Sequence, residues 1–303
     1  MSDFFRDFSP HTDLACERMR ADTNLPGVEY REEEGAGCRI SRLSVTGPEG
    51  AESIGKPEGT YVTMSFPPLF ELQEGEIATL SSTLSSLILE FLTQLAPKAR
   101  SVLTVGLGNR SITSDAIGPE SVRAMMATRH LRTESPALFS QLADIDLSLL
   151  APGVMGETGI EVSDLVAATV RATEPDLVIA IDALAARSTE RLAATVQLSD
   201  TGIRPGSGIG NARRPLDRDT LGVPVLSIGM PTVVGSATLV LDALEKAEMR
   251  DGDLPEPLRR VLTEGKSFFV SPREADVVTE RAARLFADAV NHAFSSGFFA
   301  EGQ

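Results

Sequence analysis

Cysteine, histidine and positive charge are all scarce in this chain, and each scarcity closes off a class of protein. Its 303 residues hold two cysteines, Cys16 and Cys38, and three histidines, His11, His130 and His292. That is too few for a disulfide scaffold or a Cys/His zinc site, and it fits a reducing, cytoplasmic compartment. With 28 Lys and Arg against 43 Asp and Glu, the formal charge is −15. Such a surface repels nucleic-acid phosphate and anionic membrane, so neither is expected as a direct partner. The stretch from Met1 to Phe8 mixes acids with phenylalanines and lacks the apolar core of a secretory signal. Leu221 to Leu241 has no ionisable residue, yet Gly222, Pro224, Gly229, Pro231 and Gly235 break it. It reads as a strand, a loop and a helix start rather than a membrane span. No G-x-S-x-G occurs, which removes the nucleophile elbow of the α/β serine hydrolases. Internal repeats and low-complexity tracts are absent too.

What remains is a globular composition, 42% hydrophobic with a mean hydropathy of +0.01, enough for one large or two modest domains. Short apolar runs alternate with segments of period 3.6, the signature of an α/β protein. Ile77, Leu80, Leu84, Leu87, Ile88, Phe91, Leu92 and Leu95 predict a long amphipathic helix stopped by Pro97. Strands are predicted at Ser101–Val105, Leu177–Ile181, Ala194–Leu198 and Val223–Ile228, and helices after Pro119, after a capping box at Thr158–Glu161, and from Ser271 onward. Cys38–Val45 and Tyr61–Phe66 read as strands of a peripheral β-rich subregion over 30–70, and Glu32-Glu33-Glu34 as a solvated turn. The fold class expected is a three-layer αβα with a mostly parallel or mixed central sheet, of the phosphorylase/hydrolase-like kind, plus a small N-terminal β element.

Open parallel sheets hold their ligands at the carboxyl ends of the strands. Asp115 lies in the loop Gly106 to Pro119, between a strand end and a helix start, and Asp182 follows five apolar residues. A charge so placed needs a partner or a proton. Two carboxylates at adjacent strand ends share a proton, one serving as base toward a water and the other as acid toward a carbonyl, which suits amide hydrolysis. The helix near Pro119 favours the ionised form of Asp115 and hence the basic role. Other signals are weaker. Asp200-Thr201-Gly202 spells the triplet of pepsin-like proteases, but it has no second copy and reads as a turn. Gly106-Leu107-Gly108 lacks the rest of a dinucleotide fingerprint, and Pro205 to Asn211 lacks the ending of a P-loop, so it reads as a loop bordering the cleft. Cys16 and Cys38 read as inert thiols, and His130 as a cation at the end of its helix.

With Thr12-Asp13-Leu14-Ala15, the Gly106 to Pro119 loop, Gly153-Val154-Met155, Ile181 to Ser188, Ser199 to Ile203 and Pro205 to Gly208 in view, the chain resembles the spore germination protease family. These are the endopeptidases of small acid-soluble spore proteins, similar in fold to hydrogenase maturation endopeptidases. The resemblance covers nearly the whole chain. It implies an aspartate-dependent peptidase without bound cofactor or metal, made as a tetrameric zymogen in the forespore and spore core. Carried over by position, the catalytic pair falls on Asp115 and Asp182 and the processing point between Asp13 and Leu14. Residues 1–13 are then a propeptide and 14–303 a single peptidase domain. His11 stands where an arginine is expected. Two other readings stay open: a maturation-type peptidase acting on a metal-loaded protein, and a non-catalytic oligomeric binding protein of the same fold.

Overall fold

The β-rich runs pair into one mixed sheet. In this computed structural model, which describes residues 12–19, 25–207, 213–249, 254–264 and 268–296, the strands are β1 (Val28–Gly35), β2 (Cys38–Val45), β3 (Gly59–Ser65), β4 (Ser101–Gly106), β5 (Asp146–Leu150), β6 (Leu177–Ala186), β7 (Thr195–Ser199), β8 (Val225–Gly235) and β9 (Phe269–Val270). Their order is β1-β2-β3-β7-β8-β6-β4-β5, with β9 on the far end of β8. β8, β6, β4 and β5 run parallel, while β1, β2, β3, β7 and β8 pair antiparallel in turn. The strands between residues 28 and 65 are thus the antiparallel wing of the central sheet.

Side chains alternate across the strands with period two, so each strand feeds two apolar layers. Leu177, Ile179 and Ile181 of β6 face one layer, and Val178 and Ala180 the other. The first layer lies under the helices α1 (Glu74–Leu95), α2 (Ile117–Ala124) and, once the chain has passed α3 (Val162–Thr173) and α4 (Ser236–Lys246), α5 (Ala275–Phe294). α3 covers the second, its Val166 and Val170 packed on Leu103 and Val105 of β4. This is the expected α/β class with helices on both faces. α1 forms because its apolar residues share one stripe and its first turn closes with a capping box, the Gln73 amide donating to the Glu76 carboxylate at 2.7 Å.

Several boundaries differ from the sequence reading for physical reasons. Glu32-Glu33-Glu34 lies in the exposed edge strand β1 and not in a turn, with Glu33 and Glu34 facing Arg42 and Arg39 of β2 at 3.1 and 3.3 Å. Charge on both faces of an edge suppresses pairing with other chains. Thr158 ends a short helix, Met155–Thr158, closed by Gly159 at φ 70°, so its hydroxyl turns to Val154 and Ile160 and Glu161 becomes the cap of α3. α5 starts after Glu274 and not after Ser271, because β9 holds the chain extended up to Val270. His130 precedes the short helix Leu131–Glu134 instead of ending α2, which stops at Ala124. The predicted loop within 221–241 is absent: β8 runs unbroken through Gly229 and Pro231 into α4. Among the described residues no helix is long and apolar enough to cross a membrane.

Phe91 of α1 is 1% exposed at the centre of the first layer. Phe91→Ala is expected to cost roughly 3–5 kcal/mol, read as a lower urea midpoint with an unchanged slope.

Candidate active site

The loop from Gly106 to Pro119 reaches the strand ends only because two of its glycines carry no side chain. Gly108 sits at φ +114°, where a Cβ would stand 2.0 Å from the carbonyl oxygen of Asp115. A Cβ on Gly118 would stand 2.2 Å from Leu107 O and 2.6 Å from Ile181 O. The closeness these positions allow folds Asp115 back over the end of β4, where one of its carboxylate oxygens accepts from the Asn109 amide at 2.7 Å. That donor favours the ionised form of Asp115. Two threonines fasten the loop from outside, Thr232 Oγ1 donating to Ser114 O at 2.6 Å and Thr279 Oγ1 to Thr113 O at 2.8 Å.

Asp182 was expected to end its strand, and the structure corrects this. β6 continues to Ala186 because β8 goes on pairing with it, Asp182 opposite Gly229 and Ala186 opposite Val234. What stops at this level is the other neighbour, since the last residue of β4, Gly106, pairs with Ile181. Asp182 therefore lies one residue past the carboxyl end of β4. Between Leu184 and Ala185 the β6–β8 register slips by one, leaving Thr232 as the extra residue, and that threonine is the one that holds the Asp115 loop.

Asp115 and Asp182 line one cleft of about 550 Å³, together with Asp13. Exposed apolar side chains, Ile112, Met155 and Phe269, border it, and Arg204 and Arg213 supply cationic lining. Asp182 is 6% exposed. Its burial first, then the carboxylates of Asp115 and Asp13, push it well above the usual carboxylate range. Asp115 is half-buried; burial pushes it up as well, and the Asn109 amide draws it back. One carboxyl thus holds a proton more firmly than its neighbour, the condition for an acid and a base side by side.

The remaining candidates fall elsewhere. Asp200 Oδ1 accepts from Thr60 N at 2.7 Å in the turn after β7 and does not line the cleft. Cys16 and Cys38 are free thiols held protonated by burial. Pro205 and Gly206 border the cleft, while Gly208 to Asn211 and His11 lie outside the described residues. Among the described residues no three His, Cys, Asp or Glu side chains are grouped so as to hold a metal ion. Asp13 was read as a processing point and not as a wall of the cleft, and no sequence pattern connects it to Asp115, 102 residues on. Asn109, which holds Asp115, was read only as part of its loop, and Thr232, which holds the loop, carried no signal of its own.

Comparison with known proteins decides the family. The model of the germination protease family matches residues 11–253. This chain belongs to the germination protease family. It is 36% identical over 308 residues to the germination protease of Caldanaerobacter subterraneus subsp. tengcongensis, covering 94% of each chain. To that of Priestia megaterium it is 35% identical, again over 94% of each, and to that of Bacillus subtilis 41% identical over 85% of this chain and 73% of the other. A NiFe hydrogenase maturation protease from Thermococcus kodakarensis covers 67% of this chain and 97% of its own at 17% identity, with a TM-score of 0.36, a likeness too slight to build on. Membership gives the chain a protease role in spore germination, with the cleft around Asp115 and Asp182 as its candidate centre.

Because the folded state binds the Asp182 proton more tightly than the unfolded chain, stability falls as pH rises from the ordinary carboxylate range through the raised value. Asp182→Asn keeps an acceptor for the Ala183 amide, 2.9 Å from Oδ1, and removes the charge. It is expected to raise Tm near pH 7, with the gain shrinking toward pH 4. A Tm that drops equally at both pH values would contradict this.

Proposed function

We propose that this chain is the endopeptidase that begins the breakdown of small acid-soluble, DNA-binding spore proteins in the spore core, through a water activated between Asp115 and Asp182. The observation that carries the proposal is that these two carboxyls share one cleft while their surroundings push their proton affinities apart. Ionised Asp115 takes a proton from the water as its oxygen bonds to the peptide carbonyl carbon. Protonated Asp182 hydrogen-bonds the carbonyl oxygen as negative charge develops there, and its proton passes to the departing nitrogen as the C–N bond breaks. The proton gained by Asp115 then resets the pair. No resident metal or cofactor enters these steps. A cleft bordered by apolar side chains suits an extended protein segment, and with a charge of −15 the enzyme meets its DNA-binding substrate without holding DNA itself.

In this reading the protein is a homotetrameric zymogen, activated by a cut between Asp13 and Leu14. Support for that boundary comes from burial: Leu14 and Ala15 have no exposed surface, whereas Asp13 faces the cleft. The residues just after the cut, Leu14 and Ala15, are core.

The test incubates the full chain with a purified small acid-soluble spore protein, following both loss of the first 13 residues and cleavage of the substrate, with and without a chelator. Activity is expected to survive chelation and to fall by about 10²–10⁴ in Asp115→Asn and in Asp182→Asn. Full activity in either variant would refute the two-aspartate mechanism, and light scattering on the same samples reads the subunit number.

A further inference from the structure

Beyond Ile181, β6 has an edge that no strand among the described residues covers. On the side of β4, the last strand-like bond is from Leu107 N to Ile181 O at 2.8 Å. Two residues on, Ala183 turns its amide to the carboxylate of Asp182. Four residues on, the chain's own N-terminal segment takes the edge: Asp13 N donates to Ala185 O at 2.9 Å, and Ala185 N donates to Asp13 Oδ2 at 2.9 Å. Ser207 Oγ donates to the other carboxylate oxygen at 2.7 Å.

The peptide bond that follows is held just as closely. The carbonyl oxygen of Asp13 accepts from Lys56 Nζ at 2.9 Å and from Gln197 Nε2 at 3.1 Å, while Gln197 Oε1 accepts from Ala15 N at 2.7 Å. One carboxamide thus spans the main chain on both sides of Leu14, reading backbone and not a side chain. Gln197 pairs across the sheet with Gly229, which pairs with Asp182, so this clamp and the buried carboxyl stand in one row of the sheet. Lys56 is half-buried here, its ammonium form disfavoured by burial and supported by the Asp13 carboxylate. A partly desolvated lysine and a buried glutamine aimed at one main-chain carbonyl are a costly arrangement unless something must be held there.

We propose that this seat is the substrate's docking edge: an extended segment of the protein substrate lies along β6 as an added strand. One of its residues takes the place of Asp13, giving its N–H to Ala185 O and its C=O to Lys56 and Gln197. An extended backbone entering an apolar cleft must find partners for its N–H and C=O groups, and an open sheet edge supplies them whatever the side chains. While Asp13 is seated, substrate is kept out. The inference rests on the peptidase reading above and adds how the peptide is gripped. Lys56 and Gln197 are positioning residues, since they touch the main chain and not the water or the reacting carboxyls.

The test uses the full chain and a synthetic peptide copying residues 8–17, with serine for the cysteine, beside the same peptide N-methylated at the residue matching Asp13. Peptide binding is read by fluorescence anisotropy, and hydrogen exchange is followed at the Ala185 amide. Asp13→Ala, which loosens the seated segment, is expected to bind the plain peptide about tenfold more tightly than the wild type, whereas Asp13→Asn, which keeps an acceptor for Ala185 N, binds like the wild type. Exchange at Ala185 rises in Asp13→Ala and falls again when the peptide is added. N-methylation weakens binding by about tenfold. Equal affinity for the two peptides, or exchange at Ala185 that ignores the peptide, would overturn the proposal. Should Asp13→Ala fail to fold, Ser207→Ala removes one bond to the carboxylate from outside the segment and must shift binding in the same direction. Cleavage is followed in the same tubes. A peptide that binds as expected and stays intact even after the chain has lost its first 13 residues refutes the catalytic reading and leaves the docking edge, while a peptide cut equally well with and without the methyl group does the reverse.

Discussion

β4 stops at Gly106 while β6 runs on to Ala186, and the cleft, the carboxyl pair and the seat of the N-terminal segment all follow from that mismatch. A strand that outlives its neighbour leaves N–H and C=O groups which must be satisfied by other means. Here the means are a glycine-dependent loop that brings Asp115 back over the end of β4, and an N-terminal segment that meets β6 at Ala185. β8 keeps the extension rigid from the other side, and its one-residue slip at Leu184/Ala185 supplies the threonine that fixes the loop. The functional groups therefore hang on main-chain geometry that apolar packing sets elsewhere in the sheet.

The parts of this arrangement governed by local rules were legible in the sequence. Five apolar residues followed by an aspartate announce a buried parallel strand with an ionisable group at the level of a strand end, and α1 shows in the spacing from Ile77 to Leu95. Asp115 was found by position, from a strand, a glycine loop and a helix in order. What escaped depends on long-range pairing. The length of β6 is decided by β8, whose Gly229 and Pro231 look like breakers: Gly229 is held on both sides, by β6 and by β7, and Pro231 lies past the last β7 pair, where its missing N–H is not called on. The acidic run at Glu32 reads as a turn until β2 is seen to pair with all of it. The place of Asp13 beside Ala185, and of Gln197 beside Asp13, depends on register across three strands, which no local pattern carries.

The electrostatics of the cleft run against stability. Three carboxylates line one cleft in a chain that is already strongly acidic, and the most buried of them has, among the described residues, only the Ala183 amide as hydrogen-bond partner. Packing alone would place an apolar residue there. Sites that break a local rule without a nearby compensation are where function is found, and the family to which this chain belongs is consistent with that reading.

Leu14 and Ala15 are fully buried, and this anchors one end of the segment that reaches the cleft. Asp13 is consequently presented to its seat by an intramolecular tether, at a local concentration fixed by chain geometry rather than by the number of molecules present. Dilution, crowding or a change in expression level leaves that occupancy untouched. Only breaking the tether, or weakening the few hydrogen bonds at its tip, can empty the seat, so the segment acts as a switch whose setting belongs to each molecule separately.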